Sequence, residues 1–211
     1  MEQIAPTTDK SPKSNGVTPG VYLIGAGPGA ADLITVRGSR ILSQADIVFY
    51  DALIDNSMLE WCVGTKLVQV GKRCGAHSSS QHFINKQLVD AASKYGIVVR
   101  LKGGDPMIFG RAQEEIDALE KANVRYEIVP GVTTALAASA ELKQPPTTRE
   151  LSRTLTLTTL PGRCAHEDHK TAIYYMARDQ LSEVASTLIA QGYTLDTPIL
   201  FDGVGQSANA A

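Results

Sequence analysis

The chain has 211 residues, 43% of them apolar and 20% charged, a profile that predicts a folded core and excludes a disordered or fibrous chain. Twenty Lys and Arg against 22 Asp and Glu leave a formal charge of -2, so no overall field draws the protein onto nucleic acid or a membrane surface. No apolar run approaches the roughly 20 residues that cross a bilayer, no secretory stretch opens the chain, and the widely spaced Cys62, Cys74 and Cys164 fit reduced thiols, so a cytoplasmic protein is expected.

Residues 1–19 mix Pro, Ser, Thr, Lys and Gly without periodicity, which predicts a solvated, disordered tail. Short apolar runs then alternate with segments of helical period. Strands are expected near 21–25, 46–50, 66–70, 97–101 and 125–129, and helices near 35–44, 55–62, 80–95, 111–121 and 132–141. The alternation predicts an α/β domain over 20–144 with a mostly parallel sheet flanked by helices. In the helix at 80–95, Ser80 can cap the start, Ile84, Leu88, Ala91, Ala92 and Tyr95 share one face, and Gly96 stops it. Residues 143–149 (KQPPTTR) break the pattern and mark a boundary. A second α/β domain over 145–211 follows, with strands at 153–159, 172–176 and 197–202 and a helix at 179–191.

Candidate chemistry gathers where strands end. Residues 25–29 (GAGPG) follow the first strand and Gly103 and Gly104 follow the fourth, and glycines there let a ligand approach the main chain. The G-x-G-x-x-G spacing of a dinucleotide site is absent: position 30 is Ala and Pro28 removes a donor. Asp105 could bond a ribose or an amino group, or simply close its own turn. Asp51 and Lys72 sit at the ends of strands where an acid and a base could face one cleft, although from spacing alone each reads first as a solvated loop charge. Arg73, Lys102, Arg111 and Arg149 could meet an anionic substrate. The stretch 164–169 (CAHEDH) offers too few ligands at metal spacing, so no metal is expected.

Taken together, VYLIGAGPG at 21–29, FYDAL at 49–53, VGKRCGAHS at 70–78, RLKGGDPMIFGR at 100–111 and VPGVTTALAA at 129–138 resemble the uroporphyrinogen-III C-methyltransferases of the tetrapyrrole methylase family. The HS…Q..IN segment (His77, Ser78, Gln81, Ile84, Asn85) favours this member of it. The resemblance implies two sequential methyl transfers onto uroporphyrinogen III, giving precorrin-2 on the route to siroheme or cobalamin. S-adenosyl-L-methionine would be the donor, leaving as S-adenosylhomocysteine, and no metal would be needed. By motif, Asp51 is the implied proton acceptor and Lys72 the proton donor. Pro28, Gly103, Gly104, Asp105, Ile108, Thr133, Thr134, Met176 and Gly205 are implied cofactor contacts, and Arg73, Arg111 and Arg149 implied partners of the substrate carboxylates. A homodimer is also implied. The family's Thr-His-Arg-Asp-Tyr run reads Thr147-Thr148-Arg149-Glu150-Leu151 here, and its Thr-Gly-His segment is missing, so the second domain's sheet is expected to be shortened and incomplete. The rival expectations are a non-catalytic cofactor- or tetrapyrrole-binding protein, a methylase of a later corrin precursor, and a nicotinamide or flavin oxidoreductase, which the glycine spacing disfavours.

Overall fold

The computed structural model describes residues 16–71, 81–150, 152–160 and 170–200. Its chain contacts cluster into two compact units, one up to residue 133 and one from residue 134. The proline-rich segment 143–149 therefore falls inside the second unit.

The first unit is built on a parallel sheet of β1 (Gly20–Gly25), β2 (Ile47–Asp51), β3 (Lys66–Val70), β4 (Ile97–Lys102) and β5 (Tyr126–Val129), in the order β3-β2-β4-β1-β5. The central strands β1 and β4 are buried on both faces because helices cover both. Their register sets Val21 opposite Val98 and Ile24 opposite Leu101. β1 and β2 both send the chain toward the β3 edge, whereas β3 and β4 send it toward the β5 edge. Right-handed crossovers then place the intervening helices on opposite faces. The core confirms this. On one face Ile41 and Leu42 of α1 (Val36–Leu42) and Met58 of α2 (Asn56–Leu59) pack with Tyr22, Ile24, Val48, Val99 and Leu101. On the other, Ile84, Leu88 and Ala91 of α3 (Gln81–Ala92) and Ile116 and Leu119 of α4 (Ala112–Lys121) pack with Val21, Leu23, Ile47, Phe49 and Val98.

The face expected for α3 is the one buried, with Ala92 and Tyr95 packed at its rim, while Ser80 lies outside the described residues. Gly96 does a different job from the one expected. The helix has ended by Ala92, and Gly96 N–H, with Ile97 N–H, donates to the Asp46 carboxylate at 2.9 and 2.8 Å. Asp46 thus anchors the start of β4. The expected tail also ends early: Val17 is buried in the core, and Tyr22 Oη donates to Thr18 O at 2.5 Å. Residues 1–15 lie outside the described residues.

In the second unit β6 (Thr154–Thr159) pairs in parallel with β7 (Lys170–Tyr175), and α5 (Thr134–Glu141) and α6 (Leu181–Ala190) are its helices. Of the strand expected at 197–202, residues 197–200 are irregular. Their exposed Ile199 and Leu200 pair with no strand among the described residues. No helix among the described residues is long and apolar enough to cross a membrane.

Candidate active site

Loops leave adjacent strands toward opposite faces between β2 and β4 and between β4 and β1, which opens a crevice at their carboxyl ends. Main chain lines it. Gly104 N–H donates to Gly27 O at 2.7 Å, Gly27 N–H donates to Gly104 O at 3.2 Å, and Ala26 N–H donates to Lys102 O at 2.8 Å, so the two expected glycine turns are one structure. Gly131, just past β5, completes it. A Cβ at Gly25 would lie 2.6 Å from Gly104 O and from Gly131 N, and a Cβ at Gly131 would lie 2.7 Å from Gly25 Cα. Only glycine permits that approach. Beside this packed floor, a Cβ at Gly103 or Gly29 would meet nothing. Gly103 is thus exposed main chain with open space beside a close-packed floor, room that suits a flat group such as the adenosine of S-adenosylmethionine.

Asp105 holds the floor. Its Oδ1 accepts from Met107 N–H at 2.8 Å and its Oδ2 from Gly131 N–H at 2.9 Å. Asp105 therefore closes its own turn, one of its two expected roles, and also ties the β4 loop to the β5 loop. The turn that follows is strained. Phe109 and Arg111, neither of them glycine, have φ of 50° and 54°. Non-glycine residues in the left-handed region cost about 1–3 kcal/mol each and concentrate at functional sites.

Asp51, at the carboxyl end of β2, is one strand over. Its Oδ1 accepts from Arg100 Nη2 at 2.5 Å, and the side chain keeps 35% of its exposure. Behind it lies a buried network that inspection of the sequence missed. Arg100 Nε donates to Glu115 Oε1 at 2.9 Å, Lys102 Nζ donates to both Glu115 oxygens at 3.0 and 3.1 Å, and Gln81 Nε2 donates to Glu115 Oε1 at 3.2 Å. Lys102, expected on an anion-meeting patch, is thus 4% exposed and committed to Glu115. Burial, the largest influence, and the Arg100 charge push its ammonium below the ordinary lysine range against the pull of Glu115. Burial likewise opposes the Arg100 charge, but Asp51 and Glu115 together outweigh it and raise its pKa. The one sequence signal was Arg100 and Lys102 two apart on a buried strand, hence on the same face.

Arg111 is exposed, and its guanidinium grips Glu114 through Nε and Nη2 at 2.7 and 2.9 Å. Asn85 Nδ2 donates to Glu114 O at 2.8 Å, and Gln81 Nε2 donates to Asn85 Oδ1 at 3.0 Å. Those motif residues therefore join α3 to the first turn of α4. Thr133 follows the β5 loop in the first unit. In the second unit Thr134 opens α5, Arg149 is exposed beside a cleft of about 350 Å³ lined by Thr147, Thr148, Ser152 and Arg153, and Met176 is exposed with φ of 57°. Lys72, Arg73, Gly205 and residues 164–169 lie outside the described residues.

A family model for Tetrapyrrole (Corrin/Porphyrin) Methylases matches residues 20–201. The chain belongs to the tetrapyrrole methylase family. Among its methylase relatives, a uroporphyrinogen-III C-methyltransferase of Pseudomonas aeruginosa is 41% identical over 187 residues, which are 85% of this chain and 76% of that one. One from Cyanidium caldarium is 39% identical over 192 residues, with the same coverage of each chain. Siroheme synthase 1 of Klebsiella pneumoniae is 39% identical over 201 residues, 90% of this chain but only 43% of that protein. Among solved structures, the Thermus thermophilus uroporphyrin-III C-methyltransferase complexed with S-adenyl homocysteine has a TM-score of 0.67 at 32% identity, over 82% of this chain and 73% of that one.

Proposed function

We propose that this methylase transfers methyl groups from S-adenosylmethionine to pyrrole carbons of uroporphyrinogen III, giving precorrin-2. The observation that carries this reading is the glycine floor at the carboxyl ends of β1, β4 and β5, one strand from Asp51. The 41% and 39% identities to uroporphyrinogen-III C-methyltransferases support the substrate. Fold likeness alone would not choose it. A cobalt precorrin-4 methyltransferase of 29% identity and a uroporphyrin-III C-methyltransferase of 33% share one TM-score, 0.69, with this chain.

Bound S-adenosylmethionine supplies an electrophilic methyl group and leaves as S-adenosylhomocysteine. Pro28, Gly103, Gly104, Asp105, Ile108 and Thr133 would hold it, and the same motif resemblance assigns cofactor contacts to Thr134, Met176 and Gly205. Asp51 accepts the proton that a bridging methylene beside the methylated ring carbon gives up, and Lys72 returns a proton to the ring system. Arg73, Arg111 and Arg149 meet the substrate carboxylates, where planar guanidinium forks suit bidentate pairing. The protein's own contribution is alignment, exclusion of water and management of protons. We read it as a cytoplasmic homodimer.

Replacing Asp51 by Asn tests the assignment. It should lower kcat about 100-fold while S-adenosylhomocysteine affinity, read by calorimetry, changes less than about threefold. Equal losses in both would make Asp51 a structural residue.

A further inference from the structure

Arg100 stands between the residue assigned to proton transfer and the protein interior. It is 3% exposed, and all its guanidinium nitrogens are engaged: Nη2 with Asp51 Oδ1 at 2.5 Å, Nε with Glu115 Oε1 at 2.9 Å and Nη1 with Leu101 O at 3.1 Å. Glu115 is fully buried and gripped from its other side by Lys102 and Gln81. Negative and positive groups alternate along Asp51, Arg100, Glu115 and Lys102, and exposure falls from 35% at the Asp51 carboxylate to 0% at Glu115. One end of the row is fixed in the core and the other is open at the crevice. Among the described residues, Asp51 bonds through Oδ1 to Arg100 alone.

We propose that Arg100, locked by Glu115, is a positioning residue that holds the Asp51 carboxylate in one orientation for proton acceptance during methyl transfer. The proposal rests on the role given to Asp51 above. In that step a ring carbon's π electrons form the new C–CH3 bond as the methyl–sulfur bond breaks; a C–H bond of an adjacent bridging methylene then breaks, its electron pair neutralises the cationic ring system, and the proton passes to the Asp51 carboxylate. A carboxylate whose direction is set beforehand spends nothing on reorganisation when that proton arrives. Arginine suits the place because its rigid fork reaches two carboxylates at once, whereas a lysine offers a single nitrogen. Glu115 sets the fork's angle, and Lys102 and Gln81 set Glu115.

The test compares Arg100→Met, Arg100→Lys, Asp51→Asn and the Asp51→Asn/Arg100→Met double variant of the full chain. Methyl transfer to uroporphyrinogen III, S-adenosylhomocysteine affinity and melting temperature are measured for each. Arg100→Met is expected to lower kcat about 30-fold with affinity altered less than about threefold, and Arg100→Lys to recover part of that loss. The double variant should be no slower than Asp51→Asn alone, because a residue acting only through Asp51 has nothing left to act on. Multiplying losses in the double variant, or a kcat loss matched by lost affinity, overturns the proposal. If Arg100→Met does not fold, Arg100→Lys decides: a wild-type kcat at a wild-type melting temperature overturns it. Asp51→Asn at full speed would instead remove the Asp51 assignment, and the proposal with it.

Discussion

At the scale of single residues, the glycines of the crevice divide into those that fill space and those that leave it. A Cβ at Gly131 would crowd Gly25 Cα at 2.7 Å, against main chain that cannot yield, whereas one at Gly103 would meet nothing. Gly131→Ala should therefore cost about 3 kcal/mol in urea unfolding. Gly103→Val should leave stability within about 0.5 kcal/mol yet weaken S-adenosylhomocysteine at least about tenfold by calorimetry. Unchanged binding in Gly103→Val would take Gly103 out of the cofactor site. Cys62 gives a pH test. Burial raises its thiol from the ordinary 9.0 to about 11. Between those values the unfolded chain sheds a proton that the folded chain keeps, so this contribution, complete below about pH 9, is lost as the pH rises toward about 11. In a Cys74→Ser/Cys164→Ser background, alkylation of folded protein should stay slow until the pH nears 11, while protein in urea reacts readily near 9. Equal pH dependence in the two states would show an open thiol. The glycine turns and Asp105 stood out because each lies just past an apolar strand, whereas Asp51, the last residue of one, read first as a solvated loop charge. Arg100, Lys102 and Glu115 were not, because a charged residue read alone looks solvated, and its buried partner lies on another element, 13 or 15 positions away.

At the scale of elements, each strand and helix of the first unit lies within a few residues of its expected place, since period two and period 3.6 separate cleanly there. What periodicity could not show is how an element is pinned. Asp46 accepts from the Gly96 and Ile97 N–H groups at the head of β4. Asp46→Ala should cost about 2 kcal/mol by leaving those donors without a partner. Hydrogen exchange should then rise at Gly96 and Ile97 before the rest of β4; uniform exchange along the strand would contradict this anchoring role. The strand expected at 197–202 fails for a complementary reason. An apolar run becomes a strand only where a neighbour offers a ladder, and residues 197–200 find none among the described residues.

At the scale of the molecule, the chain divides into two compact units that carry different residues of interest. The first carries the glycine floor, Asp51 and its buried counter-charges, and the second carries Met176, Arg149 and a two-stranded sheet. The chain spans about three quarters of its C-methyltransferase relatives and 43% of the Klebsiella siroheme synthase. The most direct test of the central claim is mass spectrometry of uroporphyrinogen III incubated with the protein and S-adenosylmethionine. A product heavier by two methyl groups, absent when S-adenosylmethionine is withheld, is the predicted result; tetrapyrrole recovered at its starting mass would contradict it.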